Sequence, residues 1–362
     1  MNPRPRPQRL PGSRWVSASL VLMLLVGIAW VARPRPSTAA QPGLASRGRS
    51  VSGWLPWWTI EASTADAVAY GDALSIVSPF WYDLDEPAHL RGFRGAGDPS
   101  VLKALGSTGA DVFPTVVSSI GAAKMVASLD DRPTRRQMVG RLATLASIRD
   151  YGGLDLDFER MASTATKKRA QRLASLFVTF VQELADRLHA DGRGLSVTVM
   201  PRTAATTWHP GMSAIVYDQA GLGAAADVLR VMAYNRHWSG SVPGGVAPLP
   251  WVQDVIAYTT SQVPPSKVEL GVPTYGFDWP EGGRGTAVTY RRAQGLLRLH
   301  DATRRWDAIG AEPNFTYRSN RVRHYVWYAD ARSIRARASL AADHGLRGIS
   351  LWTLGGEPRS AW

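Results

Sequence analysis

Asp155, Asp157 and Glu159 stand at alternate positions in the run Gly153-Leu154-Asp155-Leu156-Asp157-Phe158-Glu159. Side chains of a strand alternate between its two faces. The three acids therefore share one face, and Leu154, Leu156 and Phe158 share the other. Acids spaced about 6–7 Å apart along a strand cannot all ionise cheaply. Mutual repulsion and burial raise at least one of them above the usual carboxylate range. A carboxylic acid still protonated near neutral pH is a general acid. The competing reading is a solvated edge strand with a polar face. It leaves unexplained why Asp, a poor strand former, recurs at strict alternation.

The elements that must carry this row follow from the rest of the chain. Apolar, β-rich runs occur at 53–58, 74–82, 111–118, 153–159, 194–200, 228–234, 267–274 and 347–352. Between most of them lie stretches with apolar residues every three or four positions, such as 135–149, 167–190, 251–262 and 331–343, which predict helices. This alternation predicts an α/β fold, a closed (β/α)8 TIM barrel. An acid row on an inward strand face then rises toward the C-terminal mouth, where barrel active sites lie. An open doubly wound sheet is the alternative, but it wants a Gly-rich turn after an early strand. The nearest match, Gly221, Gly223 and Ala226, precedes a strand and reads as a helix. A small α+β insertion is expected between strands seven and eight, about 280–330, with Phe315–Tyr317 and His324–Tyr328 as a hairpin over the barrel mouth.

The residues resemble glycoside hydrolase family 18, the chitinase and endo-β-N-acetylglucosaminidase barrels, whose signature reads Asp-Gly-x-Asp-x-Asp-x-Glu. Gly53-Trp54, Ser78-Pro79-Phe80-Trp81-Tyr82, Met232-Ala233-Tyr234-Asn235, Gly271-Val272-Pro273-Thr274-Tyr275-Gly276 and Gly348-Ile349-Ser350-Leu351-Trp352 look like further family positions. His237-Trp238, Ala247-Pro248-Leu249-Pro250-Trp251, Tyr275-Gly276-Phe277-Asp278-Trp279 and Leu354-Gly355-Gly356-Glu357 resemble its bacterial spore-germination and cortex-lytic subgroup. The likeness covers about residues 51–362. It implies a retaining glycosidase acting on N-acetylglucosamine-containing polysaccharide, chitin or peptidoglycan, by substrate-assisted catalysis. Glu159 would be the general acid/base. Asp157 would orient the acetamido group, Asp155 would set the protonation of Asp157, and Tyr234 would bond the acetamido carbonyl. Trp352 would form the floor under the sugar, with Trp54, Trp81, Tyr82, Asn235, Trp238 and Tyr275 as further substrate-binding residues. A lectin-like barrel that binds such glycans without cleaving them is the alternative; the presence of Glu159 weighs against it. Two positions depart from the pattern. Gly152 replaces the first signature Asp, at a place expected deepest in the barrel. Asn235 replaces the Asp after the strand-six Tyr, and is expected to contact substrate without titrating.

Composition narrows the remaining classes. The absence of cysteine excludes disulfides, cysteine-ligated metals and a thiol nucleophile. The seven His show no metal-ligand spacing, and no cofactor is expected. The net charge of +13 suggests an acidic partner such as nucleic acid, yet residues 1–50 carry eight Arg and no acid. The other 312 residues hold 34 basic against 29 acidic residues, so no nucleic-acid partner is expected. Four Arg before the apolar run Trp15–Ala32, and small residues near Thr38 and Ala40, read as a signal peptide or a membrane anchor over 1–40. A linker at 41–52 and a barrel at 53–362 follow. The body is expected to be a monomer, secreted or held on the outer face of the cytoplasmic membrane through that segment alone.

Overall fold

The computed structural model describes residues 43–44, 49–163, 166–205 and 213–362. The segment expected to direct export (1–40) and much of the linker lie outside the described residues. Among the described residues no helix is long and apolar enough to cross a membrane.

The barrel expected from the β/α alternation is the fold. Its staves are β1 (Ser50–Pro56), β2 (Leu74–Glu86), the pair β4 (Asp111–Val112) and β5 (Thr115–Val117), β6 (Gly153–Asp157), β7 (Gly194–Val199), β8 (Val228–Val231), β9 (Val268–Pro273) and β15 (Gly348–Trp352). A short strand β3 (His89–Gly92) folds back on β2 as a hairpin. The staves pair in parallel in the order β1-β15-β9-β8-β7-β6-β5-β2, and β2 returns to β1 to close the ring. The third stave is interrupted at Phe113-Pro114, where proline has no N–H to donate. The Pro114 carbonyl still accepts from the Asp155 N–H, so the ladder continues into β6.

Leu154, Leu156 and Phe158 are fully buried. Phe158 packs 5.9 Å from Phe177 and 6.1 Å from Phe180 on the helix Lys167–Ala190, so the apolar face of β6 lies under that helix. The opposite face, with its acids, then looks into the barrel. The helices start where their capping residues place them. Asp131 accepts from the Thr134 N–H at the head of Arg132–Ile148. Asp330 and Ser333 form a capping box at the head of Ala331–Asp343.

The insertion is α+β, as expected, but begins earlier, at Tyr275. It comprises β10 (Tyr275–Pro280), β11 (Thr286–Thr289), a helix (Tyr290–Leu299), β12 (Arg305–Asp307), β13 (Glu312–Ser319) and β14 (Val322–Trp327). Its antiparallel sheet runs β11-β10-β14-β13-β12, and the expected hairpin is the β13–β14 pair, with Phe315 opposite Val326. Val288, Ala293, Leu296, Phe315, Tyr317, Val326 and Tyr328 give it a core of its own. Glu312 accepts from the Ala247 N–H at 2.8 Å and pairs with Arg337 at 2.9 Å. These contacts tie the insertion to the loop after β8 and to the helix Ala331–Asp343.

Candidate active site

The acid row rises from inside the barrel to its mouth. Asp155 is fully buried, and both of its oxygens are occupied. Oδ2 accepts from Trp54 Nε1 at 2.9 Å and from Thr115 Oγ1 at 2.8 Å. Oδ1 accepts from Ser196 Oγ at 2.6 Å and Thr198 Oγ1 at 3.2 Å, and faces Arg230 Nη1 at 3.4 Å. Asp157, one pleat higher, is 4% exposed, and its buried Oδ1 has no hydrogen-bond partner. Burial, then the charges of Glu159 and Asp155, hold the Asp157 carboxyl well above the usual carboxylate range. Glu159 opens to solvent along its side chain, yet enough protein surrounds its carboxyl to displace water and raise it as well.

One local detail differs from the expected run of strand. β6 ends at Asp157, and Glu159 already has helical dihedrals (φ −82°, ψ −33°), leading into the 3-10 turn Arg160–Ala162. The chain bends at the barrel rim, so Glu159 sits on the exit turn and not in the pleat. Its charge is still felt at Asp157.

Around the row the structure gathers some predicted residues and removes others. Tyr234, three residues past the end of β8, is buried, and its phenol is raised by burial and by nearby Tyr275, Asp157, Glu159 and Asp155. Tyr275 lies T-shaped to Tyr234 at 6.3 Å, and its hydroxyl donates to Asn235 Oδ1 at 2.5 Å. Asn235 takes a left-handed conformation (φ 61°), which Asn tolerates better than most residues. Trp352 is half-buried at the top of β15, edge-on to Trp54 at 5.7 Å and to Phe80 at 5.6 Å. Trp238 is 47% exposed on the loop after β8, with the Arg284 guanidinium over its ring.

Trp54, Trp81 and Tyr82 stand corrected as sugar contacts. Trp54 is 1% exposed; it supports Asp155 from behind Trp352. Trp81 and Tyr82 are buried in the main core, where the Tyr82 hydroxyl meets that of Tyr151 at 2.7 Å. Trp81, next to inward-facing Phe80, points outward by plain alternation, and Tyr82 follows it because of a bulge in β2 between Phe80 and Tyr82. Phe80 pairs with Thr115, whose hydroxyl reaches Asp155 inside the barrel; Tyr82 pairs with the next residue, Val116, and so faces the helices. Phe80 is the aromatic that looks inward. It meets Trp58 at 6.1 Å and Phe93 at 6.3 Å, and Trp57 stacks on Phe93 at 6.1 Å. This cluster borders a mouth-side cavity of about 710 Å³ lined by Trp57, Trp58 and Arg94. The available signal was position: Trp57 and Trp58 close the apolar run 53–58.

Tyr217 was also missed. Its buried hydroxyl donates to the Phe158 carbonyl at 3.0 Å, bracing the turn that carries Glu159. Gly152 is exposed at the foot of β6 and not deep in the barrel, so the departure there lies away from the chemistry.

Such an arrangement can protonate a leaving oxygen at Glu159 while Asp157 offers a neutral or charged partner beside it, over an aromatic floor. Known proteins carry the same architecture. The family model for glycosyl hydrolases family 18 matches residues 106–357. The cortical fragment-lytic enzyme of Bacillus subtilis is 32% identical over 233 residues, 63% of this chain, and the chain spans about half (52%) of that relative's length. The crystal structure of a chitinase from Chromobacterium violaceum superposes with a TM-score of 0.76 at 29% identity, covering 87% of this chain and 96% of that one. The Bacillus cereus spore cortex-lytic enzyme SleL superposes at 0.75 with 25% identity, covering 86% of this chain and 72% of that one. With the barrel, its acid row and a family match over most of the barrel in hand, the chain belongs to glycosyl hydrolases family 18.

Proposed function

We propose that the protein is an exported retaining glycosidase that hydrolyses β-linked N-acetylglucosamine glycans, peptidoglycan foremost, by substrate-assisted catalysis. The observation that carries this reading is the graded acid row. Asp155 is saturated with donors, Asp157 is buried with an unpartnered oxygen, and Glu159 stands at the rim with its carboxyl raised. Glu159 gives its proton to the glycosidic oxygen as that bond breaks. The substrate's own 2-acetamido oxygen attacks the anomeric carbon, forming an oxazolinium ion in place of a glycosyl-enzyme. Asp157 orients the acetamido group, and Tyr234 hydrogen-bonds its carbonyl. Trp352 forms the floor beneath the sugar. Glu159, now a carboxylate, takes a proton from the water that opens the ring.

Peptidoglycan is favoured over chitin by the similarity to a cortical fragment-lytic enzyme and to a spore cortex-lytic enzyme. Export rests on the basic and apolar pattern of residues 1–40. Product analysis by mass spectrometry on purified peptidoglycan and on chitin oligomers tests the assignment. Fragments with new N-acetylglucosamine reducing ends are expected; cleavage of neither polymer would leave a glycan-binding barrel as the reading.

A further inference from the structure

Barrel interiors are filled mainly by Val, Ile and Leu. In this chain the layer beneath the acid row holds a buried ion pair instead. Arg230 on β8 and Glu269 on β9 are register partners, and both are fully buried. Arg230 Nε meets Glu269 Oε2 at 3.2 Å, and its Nη1 donates to Ser78 Oγ at 2.7 Å and lies 3.4 Å from Asp155 Oδ1. Its guanidinium carbon stands 5.1 Å from the centre of the Trp54 ring, the same indole that donates to Asp155. Glu269 is itself fixed by Ser50, Ser52 and Ser350 at 2.6–2.9 Å, and Arg347 approaches it from the outside at 3.4 Å. The guanidinium is therefore clamped from below, with one edge against the acid row.

A buried ion pair is a poor device for stability, since apolar residues of similar volume often do as well or better. Among the described residues, Arg230 is the cation within ion-pair distance of the row. The other charged or titratable groups that face Asp155 and its neighbour are Asp157, Glu159 and Tyr234. Two adjacent carboxyls cannot both ionise cheaply, so something must decide which keeps the proton.

We infer that Arg230, aligned by Glu269 and Ser78, is a positioning residue that holds Asp155 in the row and leaves the proton with Asp157 and Glu159. The inference deepens the functional reading above and rests on it. An opposite charge at this range favours the ionised form of a carboxyl. The cation thus widens, on its acid side, the pH range in which the row holds one anion and a proton ready for transfer.

The test is the pH profile of kcat/KM for the full chain and three variants. In Arg230→Met/Glu269→Met, which removes both charges together, the acidic limb should move upward by about one pH unit. Arg230→Lys should return it close to the wild-type position. Glu269→Gln, which leaves Arg230 less compensated, should move it downward. A purely structural pair would lower kcat without moving the limb, so a folded double variant with the wild-type limb overturns the inference. If the double variant does not fold, an unmoved or upward limb in Glu269→Gln overturns it equally. The aspartate carboxyl signals, followed by 13C NMR during a pH titration, supply a readout that needs no turnover. If the wild-type protein cleaves neither polymer, the functional reading falls, while the displaced titration still decides the role of Arg230.

Discussion

Trp54→Phe separates two roles for a residue that the sequence pattern assigns to sugar binding. The indole is 1% exposed, and its Nε1 donates to Asp155 Oδ2 at 2.9 Å. Phenylalanine keeps an aromatic surface behind Trp352 but offers Asp155 no proton, and it leaves part of the indole volume empty. A hydrogen bond to a charged acceptor contributes ~1.5–3 kcal/mol. At roughly 2 °C per kcal/mol for a domain of this size, the variant should lose ~3–6 °C in Tm. If half of that interaction is felt in the transition state through the protonation of the row, kcat falls ~3–12-fold. KM should stay within a factor of about 2, because no sugar contact is removed. Thermal unfolding and initial rates on a soluble N-acetylglucosamine oligomer give both numbers. A tenfold rise in KM with kcat preserved would place Trp54 against the sugar and refute the reasoning.

Three further outcomes follow from other contacts. Burial raises the Glu357 carboxyl to about 7, while Oε1 accepts from Trp362 Nε1 and Oε2 is buried without a partner. A raised folded value means the native state binds the extra proton, so its stability falls as pH climbs from the unfolded value near 4 to about 7. Glu357→Gln should therefore be more stable than wild type by up to ~3 kcal/mol at pH 8 and no different near pH 4, as read by urea unfolding at both pH values. Arg337→Met strands buried Glu312 and frees the Ala247 and Gly310 carbonyls. It should cost ~3–5 kcal/mol in denaturant unfolding, and a loss below 1 kcal/mol would show that the insertion does not depend on this clamp. Trp58→Ala removes a half-exposed ring beside Phe80. KM for long glycans should rise several-fold, ~1 kcal/mol, with the shortest cleaved oligomer unaffected; equal effects on both would place Trp58 at the cleavage point.

Periodicity and residue type were enough to locate the staves and the acid row, because both depend on local alternation. The apolar face of β6 reads directly from Leu154, Leu156 and Phe158, and the helix over it from the spacing in Lys167–Ala190. What alternation cannot foresee is a change of register. One bulge in β2 moves Tyr82 into the core beside Trp81 and leaves Phe80 facing Trp352. Asp157 and Glu159 likewise looked like members of one pleat until the chain turned at the rim. The Arg230–Glu269 pair was legible in part: each is a charged residue inside an apolar barrel strand, Val228–Val231 and Val268–Pro273. Their meeting depends on the lateral register between β8 and β9, which no single strand encodes.

In the proposed reaction Glu159 delivers the proton that breaks the glycosidic bond. The most direct test of this role is Glu159→Gln, assayed for turnover and, by calorimetry, for binding of the same N-acetylglucosamine oligomer. Binding within a few-fold of wild type is expected, with turnover reduced ~10²–10⁴-fold, the usual contribution of a positioned general acid. Undiminished turnover in Glu159→Gln would contradict that role.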